Sequence, residues 1–107
     1  MPDSFPRLIA DDRGVWREDE PGHPFGIEWR EIVGVGGYRL DAITRAYTVV
    51  ELVLPSGHWI ELHADWPGFT QVIEAISVRL PGIRASWFED INALELRASP
   101  ICVWRGQ

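Results

Sequence analysis

Apolar side chains recur at every second position through Val50, Leu52 and Leu54, and again through Ile60, Leu62 and Ala64. Such alternation predicts two strands that each bury one face. If both apolar sides are to be buried together, the pairing is fixed: Leu54 faces His58, Leu52 faces Ile60 and Val50 faces Leu62. A three-residue loop remains, Pro55-Ser56-Gly57, and this length calls for a type I turn followed by a left-handed residue. Proline suits the first turn position, serine the second and glycine the left-handed one. The same register places Glu51 opposite Glu61, Val53 opposite Trp59 and Val49 opposite His63 on the second face. Like charges set directly across from each other cost roughly 0.2–1 kcal/mol.

Upstream, Arg7–Ala10 and Gly14–Arg17 flank the turn-type cluster Asp11-Asp12-Arg13-Gly14 and predict a hairpin. Residues 1–6 are expected to be a loosely held tail. Glu18 to Pro24 is a polar loop rich in proline and glycine. Gly26–Trp29 alternates, and Ile32–Leu40 continues as a strand whose internal glycines signal a bulge or bend. Asp41–Tyr47 is a loop with room for one helical turn at Ala42-Ile43-Thr44. Beyond Pro67 the period changes: Phe69, Val72, Ile73, Ile76 and Leu80 line one side of a helix that Leu80-Pro81-Gly82 ends. Ser86 with Glu89 matches a capping box, and Trp87, Ile91 and Leu94 make the apolar side of a second helix over 87–97. Ile101–Trp104 reads as a final strand. The expected class is α+β: one domain over 1–107, with a curved antiparallel sheet, two helices in the C-terminal half and a last strand.

Charge and composition narrow the function. A net charge of −6 disfavours nucleic-acid binding, which needs clustered positive charge. All ten cationic residues are arginine, so Schiff-base lysines and phosphate-loop lysines are excluded. No apolar run approaches the roughly 20 residues that span a bilayer. The N-terminal residues lack the pattern of a signal peptide, and Cys102 is the only cysteine, so a cytoplasmic location without disulfides is expected.

The alternating face carries the candidate chemistry. Glu51, Glu61 and His63 could share a proton or a divalent ion, but alternating polar residues also mark any half-solvated sheet. Trp59 among those charges has the composition of an interaction hot spot. Gly34-Val35-Gly36-Gly37 resembles a phosphate loop in composition only, because strand rather than helix follows it. His23 and His58 have no partner at ligand spacing, so neither a metal site nor a cofactor is indicated. Ser56 and Ser86 have turn and cap duties. Trp87, Trp104 and Cys102 sit in apolar company and are expected in the core. A lipid-headgroup site would need clustered arginines at one end of the sheet, with Arg30 and Arg39 the candidates.

The segment Gly26-Ile27-Glu28-Trp29-Arg30-Glu31-Ile32-Val33-Gly34-Val35 resembles a stretch of small bacterial pleckstrin-homology-like domains: an apolar residue, any residue, Trp, any residue, Glu, Ile, two residues, then Val. Pro67-Gly68-Phe69, Leu80-Pro81-Gly82-Ile83, Trp87-Phe88 and Val103-Trp104-Arg105 are similar to pieces of small bacterial proteins of comparable length. The resemblance implies a pleckstrin-homology-like roll, although two helices before the last strand depart from that family's order, in which one helix closes the barrel. It also implies a binding module, including immunity partners of secreted toxins, with no catalytic residues to carry over. The reading is therefore a non-enzymatic protein-binding module, an immunity or accessory factor. Its candidate partner face is Glu51, Trp59, Glu61 and His63, and its partner is another protein of basic character. A homo-oligomer stays open, and a small metal-dependent or acid/base hydrolase using Glu51, Glu61 and His63 is the alternative.

Overall fold

The computed structural model describes residues 6–106, so most of the expected N-terminal tail lies outside the described residues. Strands β1 (Arg7–Ala10), β2 (Gly14–Glu18) and β3 (Pro24–Glu28) form one antiparallel sheet in the order β1-β2-β3. A short 3-10 turn (Trp29–Glu31) leads into β4 (Gly34–Asp41), β5 (Ala46–Val53) and β6 (Trp59–His63). Helices α1 (Phe69–Arg79) and α2 (Trp87–Asn92) follow, and β7 (Ile101–Arg105) returns beside β4, giving a second sheet in the order β6-β5-β4-β7. The α+β class holds, with the strands divided between two sheets.

Local chemistry explains each reversal. At the β1–β2 turn the Asp11 carboxylate accepts the backbone N–H of Arg13 at 2.9 Å, that of Gly14 at 3.0 Å and the Trp16 indole N–H at 3.0 Å. These donors, the Trp16 bond foremost and then that of Gly14, hold the Asp11 carboxyl below its ordinary pKa. The β5–β6 hairpin closes on the predicted three-residue loop: Leu54 N–H donates to His58 O at 2.8 Å, and Gly57 N–H to Leu54 O at 2.9 Å. Gly57 takes a φ of +92°, the left-handed region where a side chain is strained. The pairings Val50–Leu62, Glu51–Glu61, Leu52–Ile60 and Val53–Trp59 are those the face pattern requires. The expected irregularity in the glycine-rich strand is also present, as a register shift between Val35 and Gly36 where β4 meets β7.

Four expectations are corrected. Ala42-Ile43-Thr44 is not a helical turn. Strands β4 and β5 run until Asp41 pairs with Ala46, and the Asp41 carboxylate accepts the Ile43 N–H at 3.1 Å across a tight reversal. Helix α2 stops at Asn92, not 97, because no apolar stripe continues beyond Leu94: Leu96 is exposed, and the Asn92 side chain is turned to Thr48 and Arg39. Ser86 stands at the N-cap but its hydroxyl makes no capping bond; it donates to Asp90 Oδ2 at 3.2 Å instead. Cys102, expected in the core, is exposed, because β7 turns it to the outer side of the sheet.

The core lies between the two sheets and the helices. Leu8, Val15 and Ile27 come from the first sheet, Val35, Val50, Leu52 and Leu62 from the second, Val72 and Ile76 from α1, and Trp87 and Ile91 from α2. Trp87 is only 1% exposed, yet its polar end is satisfied: the indole N–H donates to Ser77 Oγ at 2.9 Å, and Ser77 in turn donates to Ile73 O. That pair ties α2 to α1. Helix α2 sits so close on β4 that a Cβ at Gly37 would lie 2.8 Å from Ile91 Cδ1 and 2.6 Å from Val49 O. Since a backbone carbonyl cannot yield as a side chain can, Gly37→Ala is expected to destabilise the fold by about 1–3 kcal/mol, measured by urea unfolding.

Candidate functional site

The outer face of the four-stranded sheet carries the alternating polar residues. Across β5 and β6 its rungs are Val49 with His63, Glu51 with Glu61, and Val53 with Trp59. Strand β4 adds Tyr38 beside Val49, Gly36 beside Glu51 and Gly34 beside Val53. Cys102 on β7 pairs with Gly36. All four sequence-predicted residues, Glu51, Trp59, Glu61 and His63, thus share one surface. Two glycines on β4 leave a low strip along it.

A hydrogen-bonded chain crosses this surface. Tyr38 reaches over β5, and its hydroxyl donates to Glu61 Oε2 at 3.0 Å. Glu61 Oε1 lies 3.3 Å from His63 Nε2, and His63 Nδ1 lies 3.1 Å from the Tyr47 hydroxyl. An ionised carboxylate can only accept, so Nε2 carries a proton and, in the neutral imidazole, Nδ1 accepts from Tyr47. The chain of polar groups runs above Val49, which is fully buried. The imidazole also stacks on Trp66, with ring centres 4.4 Å apart and planes 12° from parallel. Trp66 meets Arg17 of β2, whose guanidinium carbon is 4.7 Å from the ring centre and whose Nε is held by Asp19 at 2.7 Å. The outer face is therefore joined to the first sheet at this corner. Partial burial, followed by the bond to Glu61, pushes the Tyr38 hydroxyl up to about 12.

Glu51 is treated differently. Tyr38 satisfies Glu61, while no hydrogen bond or ion pair reaches the Glu51 carboxylate among the described residues. Burial first, and then the facing charge of Glu61, raise its pKa above the ordinary carboxylate value. Beside it lies a shallow recess of about 200 Å3 floored by Gly36 and bordered by Val53 and Cys102; neither Glu61 nor His63 lines it. The Cys102 thiol donates to Trp104 O at 3.4 Å. Trp59 lies on the next rung and is 53% exposed.

Both imidazole nitrogens are engaged inside the network, the two carboxylates do not converge on a common recess, and among the described residues no group of three or more His, Cys, Asp or Glu side chains is placed to hold a metal ion. The other histidines add nothing: His58 pairs with Ser56 in the hairpin loop, and His23 is exposed. Arg30 and Arg39 do not combine either, since Arg30 is bound to Glu28 and Arg39 to Thr48 and Asn92. The Gly34–Gly37 segment is strand, not a loop opening a helix.

Sequence reasoning missed Tyr38, Tyr47 and Trp66. Tyr47 has the parity of Val49 and Glu51, so the period-two pattern already contained it. Tyr38 requires the β4–β5 register, and the Trp66 stack is a tertiary contact with no local signal. No described helix is long and apolar enough to cross a membrane. Comparison of the chain with protein-family models, curated proteins and solved structures finds no match.

The Glu51 assignment makes a signed prediction. A carboxylate whose pKa is raised by folding binds its proton more tightly in the folded chain, so its charge costs stability at neutral pH. The cost fades as the pH falls through the raised folded value and is gone below the ordinary value of an unfolded glutamate. Glu51→Gln is therefore expected to stabilise the protein at pH 7 by up to about 1 kcal/mol, an amount that solvent screening at this half-exposed position reduces. Urea unfolding of both proteins at pH 7 and pH 4 checks this, and the difference between them should shrink at the lower pH.

Proposed function

We propose that this chain is a non-enzymatic protein-binding module whose outer sheet face receives a basic segment of a partner. One observation carries the reading: Trp59 stands half-exposed on a sheet face next to Glu51, a carboxylate that is partly desolvated and has no counter-ion among the described residues. An arginine or lysine from a partner would supply the missing charge, and the indole would provide the large rigid anchor characteristic of binding hot spots. The chain's net charge of −6 favours attraction of a basic partner at long range. His63 and Glu61 are held in place by Tyr47 and Tyr38, so the surface is organised before binding, which lowers the entropy lost on association.

The resemblance to pleckstrin-homology-like binding domains supports the same reading. Within it, the two sheets are the walls of a roll whose helices precede the last strand, and the chain acts as an immunity or accessory factor in a bacterium. Hydrolysis by Glu51, Glu61 and His63 is the weaker reading, because the shallow recess beside Glu51 is lined by neither Glu61 nor His63, so the three groups do not converge on one bound substrate.

The test is capture from a native lysate followed by identification of the bound protein. Glu51→Arg with Glu61→Arg is expected to reduce capture at least about tenfold, and Trp59→Ala to reduce it comparably, the loss of a single hot spot. Unchanged capture by both variants, with folding verified by circular dichroism, would remove this face as the site. A toxin encoded beside this chain and inhibited by it would establish the immunity role; a captured partner without toxic activity would leave an accessory role.

A further inference from the structure

A recess of about 470 Å3 opens where the 3-10 turn, the last turn of α1 and the end of β7 meet. Trp29 and Trp104 give it aromatic walls, Arg30, Arg79 and Arg105 line it with three guanidinium groups, and no carboxylate is among its lining residues. The carboxylates that pair with Arg30 and Arg79, Glu28 and Asp12, stand outside the lining, so the charged groups facing the recess are guanidinium groups in a chain of net charge −6. The volume falls within the roughly 300–1,000 Å3 of small-molecule sites.

The walls are fixed before any ligand arrives. The Trp29 indole N–H donates to Asp11 O at 2.7 Å and that of Trp104 to Pro81 O at 2.8 Å. With their polar ends committed, the two rings have mainly hydrocarbon and π surface left to offer. Arg79 is pinned by donating to Asp12 Oδ1 at 2.8 Å, and its guanidinium carbon lies 5.7 Å from the centre of the Trp29 ring. Arg30 is held by Glu28 at 2.8 Å. The Arg105 side chain, by contrast, makes no hydrogen bond or ion pair among the described residues. An unpaired arginine on a surface means little alone; beside two immobilised indoles and two further guanidinium groups it completes a site.

We propose that this recess binds a small aromatic anion. A planar ring would lie against Trp29 and Trp104, and a carboxylate or phosphate on that ligand would be taken by the fork of Arg105, with Arg30 and Arg79 supporting it electrostatically. Guanidinium groups match the planar geometry of both acidic groups, and the tryptophans supply affinity that a bare inorganic ion cannot use. Arg105 pairs with Gly34 on the rung of Val53 and Trp59, so the recess borders the partner face at one end, although neither Glu51, Trp59, Glu61 nor His63 lines it.

The experiment is calorimetric titration of the full chain with adenosine monophosphate, indole-3-acetate, adenosine and inorganic phosphate, with tryptophan fluorescence as a second readout. At least one of the two aromatic anions is expected to bind with a Kd of about a millimolar or tighter, and adenosine and inorganic phosphate at least about tenfold more weakly. Preference for adenosine monophosphate identifies phosphate as the acidic group; preference for indole-3-acetate identifies carboxylate. Arg105→Gln, at an exposed position, is expected to leave the circular dichroism and thermal midpoint unchanged while weakening the preferred ligand about tenfold, the weight of one charge-assisted hydrogen bond. Three results would each overturn the proposal: no saturable binding of either aromatic anion up to about 10 mM, inorganic phosphate binding as well as the aromatic anions, or affinity unchanged in Arg105→Gln.

Discussion

The closure of Leu54 on His58 across Pro55-Ser56-Gly57 decides what both faces of the four-stranded sheet contain. A strand's side chains alternate, so a slip of one residue would exchange every buried position of β6 for an exposed one. With Gly57 in the left-handed region the loop holds three residues, Leu52 meets Ile60, and Val50 meets Leu62 beneath the helices. Glu51, Trp59, Glu61 and His63 are left on the outside as a geometric consequence. Core and surface are thus two results of one turn.

The outer face is not a uniform polar surface. Glu61 and His63 are built into a relay that begins at Tyr38 and ends at Tyr47, so their hydrogen-bonding capacity is largely spent within the protein. Glu51 has neither a donor nor a counter-ion among the described residues, and the facing carboxylate makes its charge dearer. The exposed indole of Trp59 one rung away strengthens the contrast, because a large apolar side chain in water is also unsatisfied.

Periodicity made much of this legible beforehand. The β5–β6 register, α1 and its Leu80-Pro81-Gly82 stop, the β1–β2 hairpin and the irregularity at Val35–Gly36 each followed from local pattern or turn chemistry. Two of the misreadings have a long-range cause. The side chain of Asn92, the last residue of α2, is turned to Thr48, 44 positions earlier in the chain, and Cys102 is exposed because its direction depends on how β7 docks against β4. The other two are local: Asp41 accepts the Ile43 N–H, and the Ser86 hydroxyl turns to Asp90. The arginine-lined recess is harder still, since Trp29, Arg79 and Arg105 come from three distant parts of the chain and share no local pattern.

The Trp66 corner joins elements that no strand pairing connects. Its ring touches His63 at the end of β6 and the guanidinium of Arg17 on β2, which belong to different sheets. Sliding one sheet over the other would have to peel the indole from the imidazole or from the cation. The imidazole is in turn bonded to Glu61, so any such shear would be transmitted to the acidic surface within two contacts. Trp66 acts as a mechanical latch, and the orientation of the outer carboxylates is a property of the whole two-sheet body.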